Sequence, residues 1–351
     1  MDGPQDVVPS DHRPREGRAR RRPGPARTGI GRRAFVAAVA AALVPRAAGS
    51  QPQRGAQIRR IGWISTEPQP DPFVDGFRAG LRRLGYVEGE DVVLDLRYTR
   101  DLAALRTAVA ELTQSKVAFI VSSGPAIRAI RGTRDVPVLF AISGDPVELG
   151  LAVSLARPGG NFTGLTFLSL EIAAKRVEIL KQAVPGLRRL AVLSNADHPG
   201  ERSERRATEE AARALGLAVS YVPFTGAGEL DGGLSAVREA RADGMVVFPE
   251  GATMVARTKV AQFAIAERLP SMFGWSEYAD AGGLMSYGAN QREAHVRLAG
   301  YADRLLRGAT AAELPIEQPA QFELVVNMRT AAALGIALPP ATLLLANRRI
   351  E

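Results

Sequence analysis

The 351-residue chain contains no cysteine. That single absence removes disulfides, thiolate catalysis, cysteine-based zinc sites and a lipid-modified N-terminal cysteine. Histidine is nearly as scarce. His12, His198 and His295 are the full set, and no two stand at metal-ligand spacing, so neither a metal nor a cofactor is expected. There is no Gly-x-Ser-x-Gly elbow, and neither His198 nor His295 has an evident Ser–Asp context for a catalytic triad. Gly-Lys-Ser/Thr is absent as well. Thr225-Gly226-Ala227-Gly228 lacks the third glycine of a dinucleotide fingerprint and reads as a turn.

An excess of one charge is also missing where it would matter. The formal charge is +8, but residues 1–57 hold eleven arginines against four acidic residues. The remaining 34 basic and 33 acidic residues nearly cancel. A folded part this close to neutral has no electrostatic footprint for nucleic acid, so no nucleic-acid partner is expected.

Residues 1–31 are rich in Arg, Pro and Gly without apolar periodicity, which predicts a disordered basic extension. Arg32-Arg33 is then followed by eleven apolar residues, Ala34–Val44. A run of that length is too short to span a bilayer as a helix and matches a signal-peptide core. Ala47-Ala48-Gly49-Ser50 offers small residues for cleavage. The paired arginines, with Phe35 two residues on, resemble a twin-arginine export signal, although Gly31 stands where Ser or Thr is usual. Residues 32–57 are read as signal peptide and linker, and the destination as periplasmic.

From Ile58 onward the pattern alternates between strand and helix. The first half reads as strand Arg60–Ser65, helix Phe73–Leu84 stopping at Gly85, strand Asp91–Tyr98 and helix Leu102–Leu112. Two further strands follow, Ala118–Val121 and Val136–Ala141. The second half repeats the order: strand Arg189–Ser194, a helix from Glu201, strand Ala218–Phe224, helix Leu230–Ala240, strand Met245–Phe248, helix Val255–Glu267, then Leu269–Phe273. Five elements recur at an offset of about 130 residues. Repeated βα order predicts an α/β fold of two doubly wound parallel-sheet lobes joined by a hinge. The expected lobes are 58–163 with about 280–312, and 164–279 with about 313–351. Gly160, Asn161, Thr163 and Gly164, in a stretch tolerant of unusual backbone angles, are the expected hinge.

Candidate binding residues lie at strand ends, where such sheets hold ligands. In the first half these are Ser65, Thr66, Ser122, Ser123, Gly124 and the amide of Ala126. The group around Ser122 and Ala126 could hold a carboxylate or merely cap the helix that Pro125 opens. Asp145 could meet a ligand ammonium or cap the turn after Pro146. In the second half they are Ser194, Asn195 and Glu250, with Phe248, Trp275 and Tyr287 as stacking surfaces for an apolar group. Burying an indole-sized group, ~200 Å², contributes about 5 kcal/mol before ordering costs.

Several motifs form a recognisable set. They are Phe73-Val74-Asp75-Gly76-Phe77-Arg78-Ala79-Gly80-Leu81 with Leu84-Gly85-Tyr86-Val87-Glu88-Gly89, Gly144-Asp145-Pro146-Val147, and Leu155–Gly164. Ala281–Gly288, Leu314–Pro319 and Phe322–Asn327 complete it. From Ile58 to the C-terminus the chain resembles the substrate-binding proteins of ABC transporters in the tryptophan/tyrosine-type group. The resemblance implies a type I periplasmic-binding-protein fold without enzymatic activity. It further implies hinge closure over a small ligand (an aromatic amino acid or related small anion or zwitterion), delivery to an ABC permease, and action as a monomer. The chain departs from the group at Tyr98-Thr99-Arg100-Asp101, where its loop is shorter.

Three other readings compete with this one. A periplasmic sensor feeding a membrane receptor shares every feature above. A cytoplasmic repressor needs a helix-turn-helix that residues 20–50 do not provide. A small-molecule enzyme on the same fold lacks a nucleophile or metal set.

Overall fold

The computed structural model describes residues 58–351 apart from 68, 168 and 169. The proposed extension (1–31) and the signal segment with its linker (32–57) lie outside the described residues.

Strand β1 (Arg59–Ser65) is buried from Ile61 onward, as expected for a parallel strand covered on both faces. Helix α1 (Pro72–Arg83) begins where the Asp71 carboxylate accepts the amides of Phe73 and Val74, at 2.9 and 3.4 Å. Proline at its first position and Arg82 and Arg83 in its last turn suit the helix dipole. The lobe continues through β2 (Val92–Tyr98), α2 (Leu102–Gln114), β3 (Phe119–Ser123), α3 (Ile127–Ile130), β4 (Val138–Ile142) and β5 (Phe162–Thr166). Its sheet is parallel throughout, in the order β2-β1-β3-β4-β5.

The second lobe runs α4 (Leu170–Ala183), β6 (Arg189–Asn195), α5 (Glu201–Ala214), β7 (Ala218–Phe224), α6 (Leu230–Glu239), β8 (Gly244–Val247), α7 (Gly251–Val255), α8 (Arg257–Ala266), β9 (Ser271–Phe273), α9 (Ser276–Asp280) and β10 (Met285–Gly288). Helix α10 (Gln291–Leu306) returns to pack on α1 of the first lobe. The chain then re-enters the second sheet with β11 (Glu323–Asn327), α11 (Met328–Leu334), α12 (Pro340–Leu345) and β12 (Arg348–Ile350). That sheet is ordered β12-β11-β10-β9-β8-β6-β7. Its run β7-β6-β8-β9-β10 reproduces the first sheet strand for strand, so the sequence echo extends to a fifth strand in each lobe.

Three expectations are corrected. Gly160, Asn161, Thr163 and Gly164 are not at a crossing. They form and introduce β5, an edge strand of the first sheet, because their backbone is claimed by β4. The Asn161 amide donates to the carbonyls of Thr133 and Val136, and Thr163 Oγ1 donates to that of Leu314. The first crossing therefore lies between Thr166 and Leu170. Second, β10 pairs with β9, so the chain leaves the second lobe after Gly288 rather than near residue 280. It stays with the first lobe as far as Glu317, which bridges Leu165, and not only to about 312. Third, the second sheet is not wholly parallel: β11 runs antiparallel to β10. The chain reaches β11 from the other lobe, without the helical crossover that would have kept it parallel.

Each sheet has an apolar layer of its own. Ile64, Leu105, Ile120 and Phe140 lie in that of the first, and Val192, Val246, Phe248 and Met272 in that of the second. A further cluster joins the lobes, running from Trp63, Phe73 and Phe77 to Phe273, Trp275 and Tyr278.

Candidate functional site

The carboxyl ends of β1, β3 and β4 meet those of β6, β8 and β9 across a cleft between the lobes. The lobes touch along it. Arg128 on α3 pairs with Asp197 beyond β6 at 2.7 Å. Gly200 lies so close to the carbonyl oxygen of Ser143 that a Cβ there would collide with it, and a Cβ on Gly251 would meet the Glu67 side chain. Both glycines sit at contacts between lobes, where only a bare Cα fits.

One compartment of the cleft is aromatic and encloses about 320 Å³, mouth included. Phe73 comes from the first turn of α1, His295 from α10, Phe167 from the crossing and Trp275 from the loop after β9. Trp275 stands edge-on to Phe73 and Phe167, with ring centroids 5.9 and 6.2 Å apart. The imidazole of His295 stacks on the same two phenylalanines at 5.0 and 6.0 Å. Ser123, Gly124, Ser143, His198 and Glu250 supply the polar part of the wall.

The adjoining compartment is polar and larger, about 610 Å³ with its mouth. Thr66, Glu67, Arg100, Arg128, Asn195 and Asp197 line it with the turn Thr225-Gly226-Ala227. Between the compartments stand two buried carboxylates, Glu67 and Glu250. Glu250 caps α7 by accepting the amides of Ala252 and Thr253 at 2.8 and 2.5 Å, and Asn195 Nδ2 donates to it at 3.1 Å. Burial first, and the neighbouring Glu250 charge second, push the Glu67 carboxyl up to about 8, against the pull of Arg100 and Thr66. His295 moves the other way: burial pushes its imidazole down to about 4.

Of the residues read from the sequence, Ser123, Gly124, Glu250 and Trp275 line the aromatic compartment, and Thr66 and Asn195 the polar one. The other seven lie outside both linings. Ser65 is buried with its hydroxyl accepting the Glu67 amide, and Ser122 and Ser194 are buried within their sheets. Ala126 is packed in the first lobe's core and Phe248 in the second's. Asp145 spends its Oδ1 on the amides of Val147 and Glu148, so it caps the turn after Pro146. Tyr287 belongs to the second lobe's own core, its ring beside Phe322 and its carbonyl bonded by Arg176. Phe73, Phe167, His198, His295 and Glu67 were not read as site residues. Phe73 carries a signal only as the first residue of the Phe73–Leu81 motif, and His295 looks like one more helical residue until α10 is known to return to the first lobe.

Residues 63–350 match the model of the ABC transporter substrate binding protein family. The chain belongs to this family. An ABC transporter substrate-binding protein is extracytoplasmic, binds a small solute and works with a membrane permease; the family is one of binding proteins rather than enzymes. Among curated relatives, a tyrosine-binding protein of Clostridioides difficile (strain R20291) is 22% identical over 280 residues, covering 79% of this chain and 80% of the relative. Among solved structures, an ABC domain in complex with L-Trp from Streptococcus pneumonia is 22% identical, with a TM-score of 0.75 over 84% of this chain and all of that one. A conserved domain protein from Vibrio cholerae gives a TM-score of 0.76 at the same identity and coverage. These likenesses establish the two-lobed fold of the substrate-binding protein. Among the described residues no helix is long and apolar enough to cross a membrane, and no group of three or more His, Asp or Glu is placed to hold a metal ion.

Proposed function

We propose that this protein binds an aromatic amino acid between its lobes and presents it to its ABC permease in the closed form. The observation that carries the reading is the ring of Phe73, Phe167 and Trp275 at the lobe interface, directly beside polar strand ends. Edge-on and stacked contacts between aromatic rings add to the area they bury, so these side chains would favour an aromatic guest. Ser123 and Gly124, at the end of β3, would face the carboxylate. Glu250 and Glu67, the two buried carboxylates between the compartments, would take the ammonium. The names of the relatives, a tyrosine-binding protein and a complex with L-Trp, support the same class of ligand.

In this reading the chain acts as a monomer, reaches the periplasm by the twin-arginine route, and bends at the three crossings after Thr166, Gly288 and Glu317. Each is a short passage between lobes, the type of segment that absorbs a hinge motion. Titration calorimetry of the purified protein against the common amino acids tests the proposal. Aromatic amino acids should bind with micromolar or tighter affinity and aliphatic ones far more weakly. Binding confined to aliphatic amino acids, or no binding by any aromatic one, would sink it.

A further inference from the structure

Most polar side chains of the larger compartment already have partners. Arg128 is paired with Asp197 at 2.7 Å. Asn195 accepts the amides of Asp197 and Gly226 at 3.0 and 3.3 Å through Oδ1, and donates through Nδ2 to Glu250. Thr66 Oγ1 donates to Glu67 at 3.4 Å. Arg100 is the exception. It belongs to the loop between β2 and α2, which is fixed on both sides of it: Thr99 Oγ1 accepts the Asp101 amide at 3.2 Å, and Asp101 caps α2 through the Ala103 amide at 2.8 Å. The Arg100 side chain reaches the glycine turn of the other lobe. A Cβ on Gly228 would stand 3.6 Å from its Nη1, and one on Gly226 3.9 Å from its Cδ. Among the described residues Arg100 has neither a hydrogen bond nor an ion pair, and its charge reaches Glu67 only at longer range.

The compartments adjoin through consecutive residues, Gly124 lining the aromatic one and Pro125 the polar one. An aromatic amino acid in this cleft would turn its ring to Phe73 and Trp275, its ammonium to Glu67 and Glu250, and its carboxyl group to Ser123 and Gly124. The carboxyl end is thus the one directed toward the polar compartment, which encloses about 610 Å³ against 320 Å³ for the aromatic one, mouths included. With Glu67 on the ammonium and Asp197 on Arg128, Arg100 is left as the unbalanced charge of the lining. What the compartment lacks is an anion.

We infer that the polar compartment is a second subsite, for a residue joined to the aromatic amino acid through its carboxyl group, with Arg100 holding the terminal carboxylate. The ligand class is then a short peptide with an aromatic N-terminal residue, its peptide carbonyl standing where a free amino acid places a carboxylate oxygen. The inference rests on the reading of the cleft as an aromatic amino-acid site and extends the guest beyond it. Guanidinium and carboxylate form charge-assisted, often two-pronged contacts, and a pair covered by both lobes is screened less than one on an open surface.

Calorimetry of the full chain with L-tyrosine, L-tyrosylglycine and L-tyrosylglycinamide, and with the same three built on L-tryptophan, tests this. In the set whose ring suits the site, the dipeptide should bind at least as tightly as the free amino acid. It should bind roughly tenfold more tightly than its amide, which has the same length without the terminal charge. Arg100→Gln should bring the ratio of dipeptide to amide close to one. Arg100→Lys, which keeps a charge but not the planar fork, should keep part of it. The ratio is the readout because Arg100 also acts on Glu67, and a change there alters the binding of every ammonium-bearing probe alike. If the free amino acids bind and the dipeptides do not, if dipeptide and amide bind equally, or if Arg100→Gln keeps the gap, the assignment fails while the aromatic site stands. A dipeptide that binds where its free amino acid does not would keep the subsite and overturn the free amino acid as ligand. If no probe binds wild type, both fall together.

Discussion

Trp275 lines the aromatic compartment and belongs to the core that joins the lobes, which makes its replacement informative. Trp275→Leu keeps an apolar side chain but removes the edge-on partner of Phe73 and Phe167. Calorimetry should show affinity for the aromatic ligand reduced about 30-fold, on the order of 2 kcal/mol. Asp145→Ala, measured beside it, should stay within about twofold of wild type, since that carboxylate is spent on the amides of Val147 and Glu148. A large loss there would return Asp145 to the site. Residue type alone left Asp145 ambiguous. An aspartate before proline at a strand end has the chemistry for an ammonium and the geometry for a cap, and the local amides win because they are always present. Tyr287 and Phe248 show a different limit. Alternation assigns a side chain to one face of a strand but does not say which of two buried faces borders a cleft.

Helix α1 depends on Asp71, which caps it and also accepts Trp63 Nε1 at 3.1 Å. The carboxyl is pushed up by burial, so part of what it supplies is offset by its own desolvation. Asp71→Ala loses the cap and leaves the indole N–H buried without a partner, at a net cost of about 2 kcal/mol. Thermal unfolding should shift down by roughly 4–8 °C, and Asp71→Asn, which keeps an acceptor for the helix amides, should shift by less. This helix, like β7, was legible in the sequence nearly to its ends, because cap, proline and apolar spacing agree locally. Elements that depend on distant partners were not. β5 reads as a flexible crossing because Gly160, Asn161 and Gly164 favour turns, yet pairing with β4 overrides that composition. Strand β10 looks like part of the return to the first lobe until β9 is seen beside it. Helix α4, between the two halves of the repeat, had no place in the sequence reading. Two-lobe architecture was readable from the echo. Half the site was not, because Phe73, Phe167 and His295 converge only after the chain has crossed between lobes twice.

At the scale of the whole molecule, closure brings together groups that open lobes keep apart, and two of the contacts can be tested. Gly200→Ala places a methyl against the Ser143 carbonyl of the other lobe. Its backbone angles suit alanine, φ −93° and ψ 0°, so the unliganded protein should melt within a degree or two of wild type. Ligand affinity should fall at least about tenfold, because the lobes can no longer seat fully; unchanged affinity would mean that this contact does not form in the bound state. Glu67 supplies the second test. Facing it are Glu250 from the second lobe, Asp71 and Arg100 from its own, and the Thr66 hydroxyl, with burial and Glu250 together holding its carboxyl near 8. Opening returns Glu67 to water and toward an ordinary carboxylate value near 4.3. The closed empty form therefore binds the proton more tightly than the open one. Below about pH 4.5 the group costs closure nothing, through the interval up to about 8 each pH unit lowers the closing equilibrium by up to about tenfold, and above 8 the penalty is complete. Distance measurements between labels on the two lobes should show the unliganded closed population shrinking as pH rises from 5 to 8. Glu67→Gln should remove that dependence. A ligand ammonium lodged between Glu67 and Glu250 replaces the proton, so binding at pH 7 should release up to one proton per ligand, read as a calorimetric heat that varies with the ionisation enthalpy of the buffer. A closed population indifferent to pH, or a Gln variant that titrates like wild type, would show that the two carboxylates do not oppose closure.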